Sequence, residues 1–423
     1  MGEYIITGNR KLKGTVTVNG SKNAVLPILA ATLLNGSINI LDNCPEISDT
    51  KTSIDILKHI GCEVETESKT IIVNSANAGC TEIPSELVKK MRSSIIFMGP
   101  MLTRFKKVTL SHPGGCELGE RPIDLHLSAF RKMGAEITEE NDVITCTCEK
   151  LIGCHINLNF PSVGATQNII LAAVLAEGST IISNCAKEPE IIDLCRYLSK
   201  TGAKIYGAGT SEIKITGVRK LKPTHHRVMP DRIEAGTYMI MAAASGGKIL
   251  LKNVVSHHLS SVNDILSKMG CKIKTTPSTI LIKAPSVLNN VPFIQTLPYP
   301  GVPTDLQPQL TVLSAIAKGI CTFEETIFES RTAHINELLK MGADISLKNG
   351  REFTVKGVKS LYGDDVCAKD LRGGAALITA GLCADGITFV KNSRHIERGY
   401  ENIVENLLNL GANITLKNDS DVV

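Results

Sequence analysis

Positively charged side chains recur at comparable places along this chain, close to the start of apolar or amphipathic segments. The six that recur in this way are Lys22, Arg92, Arg121, Arg331, Arg372 and Arg398. A cation at a helix N-terminus opposes the helix dipole, so local helix stability does not explain these positions. Guanidinium groups bind phosphate and carboxylate through two hydrogen bonds at once. The pattern therefore predicts a site for a ligand with more than one anionic group.

One cysteine differs from the other twelve in its surroundings. Cys116 follows Pro113-Gly114-Gly115 and precedes Arg121 by five residues, whereas most other cysteines lie in apolar or strand-like runs. Glycines allow such a loop to move as a lid. Neighbouring cations lower the pKa of a thiol and make it nucleophilic. Cys116 is therefore a candidate reactive thiol, and the alternative is a thiol with no role in chemistry.

Hydroxyl and acidic residues also stand at the starts of apolar segments. Ser162, Asp231 and Asp305 are the clearest cases. Ser and Asp commonly cap helices by accepting hydrogen bonds from the first free N–H groups. Each of the three therefore has two interpretations, a helix cap and a residue that acts on a ligand.

The elements that position these residues come from internal repetition. An apolar-Gly-Ala/Cys-x-Ile/Val signature recurs six times, at Gly61, Gly134, Gly202, Gly270, Gly342 and Gly411. The steps between these glycines are 73, 68, 68, 72 and 69 residues. Six units of similar length therefore fill the chain, which predicts two domains of three units.

Each unit contains two kinds of helix. Before Gly270, apolar residues recur at i, i+3, i+4 and i+7 (Val262, Ile265, Leu266 and Met269), which predicts an amphipathic helix that the glycine ends in a left-handed conformation. A second kind of segment is apolar on all sides and predicts a fully buried helix. Four examples span residues 163–176, 236–244, 310–317 and 374–384.

Each unit is thus predicted as strand, buried helix, strand, loop, amphipathic helix and strand. Three such units would gather their buried helices inside and their sheets outside, which is an α/β fold. In a repeat protein, equivalent loops converge on one face, so residues at equivalent positions are best considered together.

Composition excludes several functions. The net charge of +4 over 423 residues and the absence of tryptophan argue against a nucleic-acid partner. No apolar run is long enough to span a membrane, and residues 1–20 lack a secretory signal. The thirteen cysteines indicate reduced thiols in the cytoplasm. Cys146, Cys148 and Cys154 fit no standard zinc spacing, so no metal site is predicted.

Four motifs together resemble a known family. They are Lys22-Asn23, Pro113-Gly114-Gly115-Cys116, Arg121-Pro122-x-Asp124-Leu125-His126 and Asp370-Leu371-Arg372. Over essentially the whole chain, the sequence resembles the UDP-N-acetylglucosamine enolpyruvyl transferases of peptidoglycan synthesis. The resemblance implies a two-domain inside-out α/β barrel with six βαβαβ-type repeats, three in each domain around buried helices. It places residues 1–21 and 230–423 in one domain and residues 22–229, with the Cys116 loop, in the other.

The resemblance also implies an activity, namely transfer of the enolpyruvyl group of phosphoenolpyruvate to the 3′-hydroxyl of UDP-N-acetylglucosamine with release of phosphate. It implies no metal or organic cofactor, and it gives these two small molecules as the partners. The catalytic residues it implies are Cys116, Asp305, Lys22 and Arg398. Those expected to bind phosphoenolpyruvate are Lys22, Asn23, Arg121, Arg331, Arg372 and Arg398.

The nucleotide sugar has a larger implied set. Its members are Asn23, Arg92, Arg121, Pro122, Ile123, Asp124, Leu125, Ser162, Val163, Gly164, Asp305 and Ile327. Asp231, Glu329 and Asp370 are expected to orient the site. The resemblance further implies that Asp305 accepts the proton of the sugar hydroxyl, that Cys116 protonates the methylene carbon of phosphoenolpyruvate, and that the epoxide fosfomycin alkylates Cys116.

Departures and alternatives stand beside this hypothesis. Many relatives carry a lysine where this chain has Phe160, so one contact to the nucleotide phosphate is absent or replaced. The shikimate-pathway enolpyruvyl transferase shares the fold and the donor but lacks a Gly-Gly-Cys loop. A sliding clamp also has six repeats but needs basic helices that face DNA. A catalytically inactive paralogue is disfavoured by the intact Lys22, Cys116, Asp305 and Arg398.

Overall fold

The computed structural model describes residues 2–112 and 123–417. Two compact units make up this part of the chain. One contains residues 2–19 and 230–417, and the other contains residues 20–112 and 123–229. The expected domain boundaries, after residues 21 and 229, stay a prediction.

Fourteen α-helices are present in the described residues. They are α1 (Lys22–Ala31), α2 (Ser48–Ile60), α3 (Ser85–Lys90), α4 (Met98–Phe105), α5 (Asp124–Lys132), α6 (Val163–Ala173), α7 (Pro189–Lys200), α8 (Arg232–Ala244), α9 (Ser260–Lys268), α10 (Gln307–Ala315), α11 (Ala333–Lys340), α12 (Leu371–Cys383), α13 (Arg394–Glu397) and α14 (Ile403–Asn409). Three short 3-10 helices span Arg92–Phe97, Ser256–Leu259 and Thr304–Leu306.

The described strands number twenty-four. They are β1 (Glu3–Thr7), β2 (Lys13–Thr17), β3 (Ile38–Asp42), β4 (Glu63–Glu67), β5 (Thr70–Asn74), β6 (Glu82–Ile83), β7 (Lys107–Ser111), β8 (Glu136–Glu140), β9 (Val143–Thr147), β10 (His155–Asn157), β11 (Ser179–Ser183), β12 (Lys204–Tyr206), β13 (Glu212–Thr216), β14 (Thr224–Arg227), β15 (Lys248–Lys252), β16 (Lys272–Thr275), β17 (Thr279–Lys283), β18 (Phe293–Gln295), β19 (Ile320–Glu324), β20 (Asp344–Leu347), β21 (Glu352–Lys356), β22 (Asp365–Cys367), β23 (Ile387–Lys391) and β24 (Asn413–Lys417).

The six predicted repeats are present, and each builds a four-stranded sheet. In the sheet β10-β11-β13-β12, the first two strands are parallel and the other pairs are antiparallel. The amphipathic helix α7 is followed by two strands, β12 and β13, rather than the single strand that the sequence predicts. The other five sheets repeat this order of parallel and antiparallel pairs. In four of them the amphipathic helix is likewise followed by a hairpin, whereas in the sheet β22-β23-β1-β24 the N-terminal strand β1 takes the place of one hairpin strand. The α/β prediction is confirmed, and the predicted three-strand unit is one strand short in five of the six repeats.

In each unit, the core contains the apolar helices of the three repeats. Helices α8, α10 and α12 pack on one another in one unit, and α4 packs on α6 in the other. Every residue of α8 is buried, including Arg232 and Glu234 at its first turn. Three of these helices begin three or four residues earlier than predicted, at Arg232, Gln307 and Leu371. Their polar first turns therefore belong to the helices rather than to the preceding loops.

All six signature glycines adopt positive φ angles, between 86° and 103°. Gly61 ends α2 in this way, and its left-handed conformation explains the need for a residue without a Cβ. The second repeat has no glycine after its buried helix. Lys106 takes the left-handed conformation there instead, with φ of 64°.

In each unit, a sheet of one repeat includes a strand from a distant part of the chain. The sheet order β22-β23-β1-β24 places the N-terminal strand β1 at an interior position of the last repeat's sheet. Strand β2 lies parallel to β15, in the sheet of the repeat that begins after residue 230. In the other unit, β14 lies parallel to β3 and completes the sheet of the first repeat. None of the described helices combines the length and the apolar composition needed to cross a bilayer.

Candidate active site

Lys22 is the first residue of the buried helix α1, and its charge is met by a buried carboxylate. Its Nζ atom lies 2.7 Å from Oδ2 of Asp49, in the first turn of α2. The two side chains are 11% and 3% exposed. Asp49 was not among the residues that the sequence singles out, because it stands 27 positions away in a different helix. The pair holds the lysine at the start of α1, where a helix N-terminus favours anions.

The pair between Lys22 and Asp49 predicts strong thermodynamic coupling. Removing one member of a buried ion pair typically costs about 3–5 kcal/mol, because the other charge stays buried. We expect Lys22→Met and Asp49→Asn together to lower stability by less than the sum of the single changes, with a coupling energy of about 0.5–3 kcal/mol. Chemical unfolding of the four proteins measures this coupling.

The exposed pair Lys150–Glu177 provides a matched control. Its atoms lie 2.9 Å apart, but the side chains are 52% and 65% exposed. The same cycle on this pair should give a coupling below about 1 kcal/mol, because water screens it. Equal coupling in the two pairs would contradict the role assigned to Asp49.

Ser162, Val163 and Gly164 form the start of the buried helix α6. The Ser162 hydroxyl accepts a hydrogen bond from the N–H of Ala165 at 3.3 Å, so the capping interpretation holds for this residue. Gly164 lies against His126, and a Cβ at position 164 would come within 3.3 Å of the imidazole Cε1. His126 belongs to α5, whose first residues are Asp124 and Leu125. The structure thus brings two predicted nucleotide-binding segments together.

Asn168 fixes the geometry of this region. Its Nδ2 donates to Nδ1 of His126 at 2.9 Å and to the carbonyl of Ile95 at 2.9 Å, while its Oδ1 accepts from the N–H of Gly99 at 2.8 Å. Ile95 lies on the 3-10 helix that Arg92 begins. Burial, and then the nearby charge of Arg92, lower the pKa of His126 to about 4. The imidazole is therefore neutral, and its proton lies on Nε2 because Nδ1 accepts.

In the other unit, Asp305 lies between two guanidinium groups. Its Oδ1 accepts from Nη1 of Arg331 at 3.1 Å, and its Oδ2 accepts from Nη2 and Nε of Arg372 at 3.0 and 3.3 Å. The two arginine side chains are 4% and 3% exposed, whereas that of Asp305 is 23% exposed. The structure therefore assembles three predicted site residues at the start of α10.

Asp305 does not act as a helix cap. It lies within the 3-10 helix Thr304–Leu306, and neither that helix nor α10 has a side-chain cap hydrogen bond. The capping interpretation is therefore wrong at this position. The capping interpretation does hold for the other two candidates, Ser162 and Asp231. Asp231 Oδ1 accepts from the N–H groups of Ile233 and Glu234 at 2.7 and 3.0 Å.

Asp370 caps α12 and thereby orients the backbone that carries Arg372. Its Oδ1 accepts from the N–H groups of Arg372 and Gly373 at 3.0 and 2.9 Å. The Arg372 guanidinium lies 5.4 Å from the ring centre of the buried Tyr400. Burial alone would lower the pKa of Arg372, but Tyr400, Asp305 and Asp231 raise it above its ordinary value. Arg372 is consequently a permanent charge.

The remaining described site residues differ in their exposure. Asn23 follows Lys22 in α1 and is half-buried. Ile123 is buried just before α5. Ile327 is half-buried, and Arg398 is half-buried at the end of α13. Glu329 is exposed, and its Oε1 lies 3.3 Å from Nη2 of Arg351 rather than against the Asp305 cluster.

Three predicted residues, Cys116, Arg121 and Pro122, lie outside the described residues. The twelve described cysteines are all free and are buried or half-buried. Burial raises the pKa of Cys62 and of Cys195 to about 12, and that of Cys185 to about 11. Such thiols remain protonated at neutral pH and react slowly.

Comparison with known proteins identifies the family. The family model described as EPSP synthase (3-phosphoshikimate 1-carboxyvinyltransferase) matches residues 6–407. UDP-N-acetylglucosamine 1-carboxyvinyltransferase 2 of Caldanaerobacter subterraneus is 47% identical, over 98% of this chain and 99% of the relative. The protein of the same name from Carboxydothermus hydrogenoformans is 46% identical, over 99% of this chain and all of the relative.

Solved structures show the same fold. The enolpyruvyl transferase NikO from Streptomyces tendae superposes with a TM-score of 0.90 at 24% identity, over 98% of this chain and 99% of that chain. EPSP synthase from Acinetobacter baumannii has a TM-score of 0.76 at 20% identity, over 99% of this chain and 100% of that chain. The chain therefore belongs to the EPSP synthase family and, within it, to the UDP-N-acetylglucosamine 1-carboxyvinyltransferases.

Proposed function

We propose that this protein transfers the enolpyruvyl group of phosphoenolpyruvate to the 3′-hydroxyl of UDP-N-acetylglucosamine and releases phosphate, the first committed step of peptidoglycan synthesis. The observation that carries the proposal is the position of Asp305, a partly exposed carboxylate held by Arg331 and Arg372. A carboxylate can accept a proton from a sugar hydroxyl, and two buried guanidinium groups suit an anionic donor.

The reaction proceeds by addition and elimination. Asp305 takes the proton of the 3′-hydroxyl while the oxygen of that hydroxyl bonds to C2 of phosphoenolpyruvate. Cys116 gives a proton to C3, so that a tetrahedral intermediate forms. Loss of a proton from C3 and departure of phosphate from C2 then restore the double bond. Each step is a proton transfer coupled to addition or elimination, so the proposal includes no cofactor.

Fixed cations supply the electrostatic stabilisation. Phosphoenolpyruvate carries a carboxylate and a phosphate, and both keep their charges as C2 becomes electron-poor in the transition state. Lys22, with Arg121 and Arg398, binds this donor, while Arg331 and Arg372 lie near its anionic groups. Preorganised charges of this kind need no reorganisation when the reaction occurs. The nucleotide sugar is bound by Asn23, Arg92, Ile327 and the segments 121–125 and 162–164. The reaction takes place in the cytoplasm.

Phosphate release provides the direct test. We expect the purified protein to release phosphate from phosphoenolpyruvate when UDP-N-acetylglucosamine is present, and not when shikimate 3-phosphate replaces it. The assay should be run in parallel with a chelator and without added metal, and the two rates should agree. Release that depends on shikimate 3-phosphate would assign the chain to the other transferase activity of its family. Loss of activity with the chelator and recovery with a divalent ion would overturn the cofactor-free reaction.

A further inference from the structure

Glu325 is a buried carboxylate that lies beside the Asp305 cluster and has no place in the proposed reaction. It follows β19 directly and is 1% exposed. Its Oε1 accepts from the hydroxyl of Thr296 at 2.8 Å and from the N–H groups of Ile327 and Phe328 at 2.9 and 3.2 Å. Its Oε2 accepts from the hydroxyl of Thr304 at 2.8 Å. Four hydrogen bonds thus satisfy a group that is costly to bury.

Arg331 is the nearest positive charge in this hydrogen-bond network, and the hydroxyl of Thr304 links it to Glu325. Nη1 of Arg331 donates to the Thr304 hydroxyl at 2.7 Å and also to Oδ1 of Asp305 at 3.1 Å. An ionised carboxylate can only accept hydrogen bonds, so Thr304 must donate its single proton to Glu325. The lone pairs of the same hydroxyl are then available to Arg331. The charge of Glu325 therefore sets the direction of the Thr304 hydrogen bond, while Arg331, which can only donate, sets the direction of the two bonds that follow.

We propose that Glu325 is a positioning residue, which fixes Asp305 and Arg331 through Thr304 and at the same time fixes the backbone of Ile327. The inference rests on the proposed function, in which Asp305 is the base and Ile327 contacts the nucleotide sugar. Because both N–H groups of the turn at 327–328 are bound to Glu325, one carboxylate sets the start of the segment that carries Arg331. A base held to within about 0.5 Å of its working position needs such a supporting layer.

The substitution Glu325→Gln tests the charge without changing the shape. If the amide oxygen stays on the two backbone N–H groups, the amide nitrogen donates to Thr304, and the threonine oxygen then receives donors from both sides. If the amide is reversed, its nitrogen faces the two N–H donors. Either orientation disturbs Arg331 or the 327–328 turn. We expect kcat to fall about 10- to 100-fold, with the KM for UDP-N-acetylglucosamine changed less than threefold, as for an effect on the transition state.

The pH profile separates positioning from simple loss of packing. Without the negative charge of Glu325, the charge of Arg331 is less compensated and favours ionised Asp305. The acidic limb of the kcat profile should therefore move to lower pH in Glu325→Gln. Thr304→Ser keeps the hydroxyl and should stay within about threefold of the unmodified protein, whereas Thr304→Val should resemble Glu325→Gln. The double variant Thr304→Val/Glu325→Gln should lose less than the product of the two single losses.

Glu324→Gln is a matched control one residue earlier. Glu324 is half-buried, and its Oε2 accepts from Gln295 rather than from the site. The kcat and the pH profile of the Glu324→Gln variant should equal those of the unmodified protein. An equal effect of Glu324→Gln and Glu325→Gln, or a Glu325→Gln variant with normal kcat and pH profile, would overturn the proposal.

Hydrogen exchange gives a readout that does not depend on catalysis. The amide protons of Ile327 and Phe328 should exchange faster in Glu325→Gln than in Glu324→Gln, because their acceptor is weakened. Unchanged exchange there would refute the positioning role even if the protein proved to act on another substrate. Conversely, an unmodified protein that fails the phosphate-release assay but shows faster exchange in Glu325→Gln would refute the proposed function alone.

Discussion

Replacing Asp305 with asparagine is expected to lower kcat by about 10²- to 10⁴-fold, the range for loss of a general base. Asparagine keeps an oxygen that can accept from Arg331, but it cannot take the proton of the 3′-hydroxyl. The affinity for UDP-N-acetylglucosamine, measured by calorimetry, should change less than tenfold, because the base acts mainly in the transition state.

The arrangement of charges adds a second expectation for this variant. In the structure, Asp305 occupies the hydrogen-bonding groups of Arg331 and Arg372, which are also expected to lie near phosphoenolpyruvate. The asparagine variant should therefore bind this anionic donor at least as well as the unmodified protein. Asp344→Asn, at an exposed residue that begins β20, serves as the control and should retain full turnover. Near-normal turnover of Asp305→Asn would remove Asp305 from the reaction.

Treatment with fosfomycin is expected to abolish activity by alkylating Cys116 alone. An anionic epoxide is concentrated by the same cations that bind phosphoenolpyruvate, and it reacts with a thiolate rather than a thiol. Buried cysteines such as Cys62 and Cys185 are poor competitors, because burial raises the pKa of Cys62 to about 12 and that of Cys185 to about 11. Mass spectrometry of peptides, with UDP-N-acetylglucosamine present to accelerate the reaction, locates the label.

Three variants sharpen this test. Cys116→Asp keeps a group that can donate a proton but lacks the soft nucleophile, so it should keep part of the activity and resist the epoxide. Cys80→Ser and Cys367→Ser remove half-buried thiols and should leave inactivation unchanged. A label on any of the twelve described cysteines, or no label, would show that the role assigned to Cys116 is wrong.

The sequence predicts the repeat and its helices well, because their signals are local. Glycines with positive φ angles end the amphipathic helices, as the signature indicates. The missing strand has an equally local cause. The strand predicted after the signature glycine of the first repeat is β4, from Glu63 to Glu67, in which four of five residues are exposed and three are glutamates. The chain then turns at Ser68 into β5, the strand that the prediction lacks. Ser68 has a positive φ angle, which its residue type does not predict.

The candidate site is predictable in its members but not in its pairings. Arg331 and Arg372 could be selected because a cation at a helix start needs a reason. The contact of both arginines with Asp305 could not be predicted, because residues 305, 331 and 372 come together only through the packing of two repeats. Asp49 and Glu325 escape notice for the same reason. Each is an ordinary acidic residue in the sequence, and its importance comes from burial against partners that lie more than twenty positions away.

The exchange of the N-terminal strands has a consequence for synthesis on the ribosome. The two neighbours of strand β1 are residues 387–391 and 413–417. Strand β1 therefore remains unpaired until almost the entire polypeptide has emerged from the ribosome. In the inserted unit, residues 20–112 and 123–229, every described strand has its partners within the same unit, so this unit can finish folding while the rest is still being translated. Nascent chains halted before residue 387 should therefore contain one protease-resistant unit and an N-terminus that is cut readily. The open hydrogen-bonding edges of such chains are natural targets for chaperones.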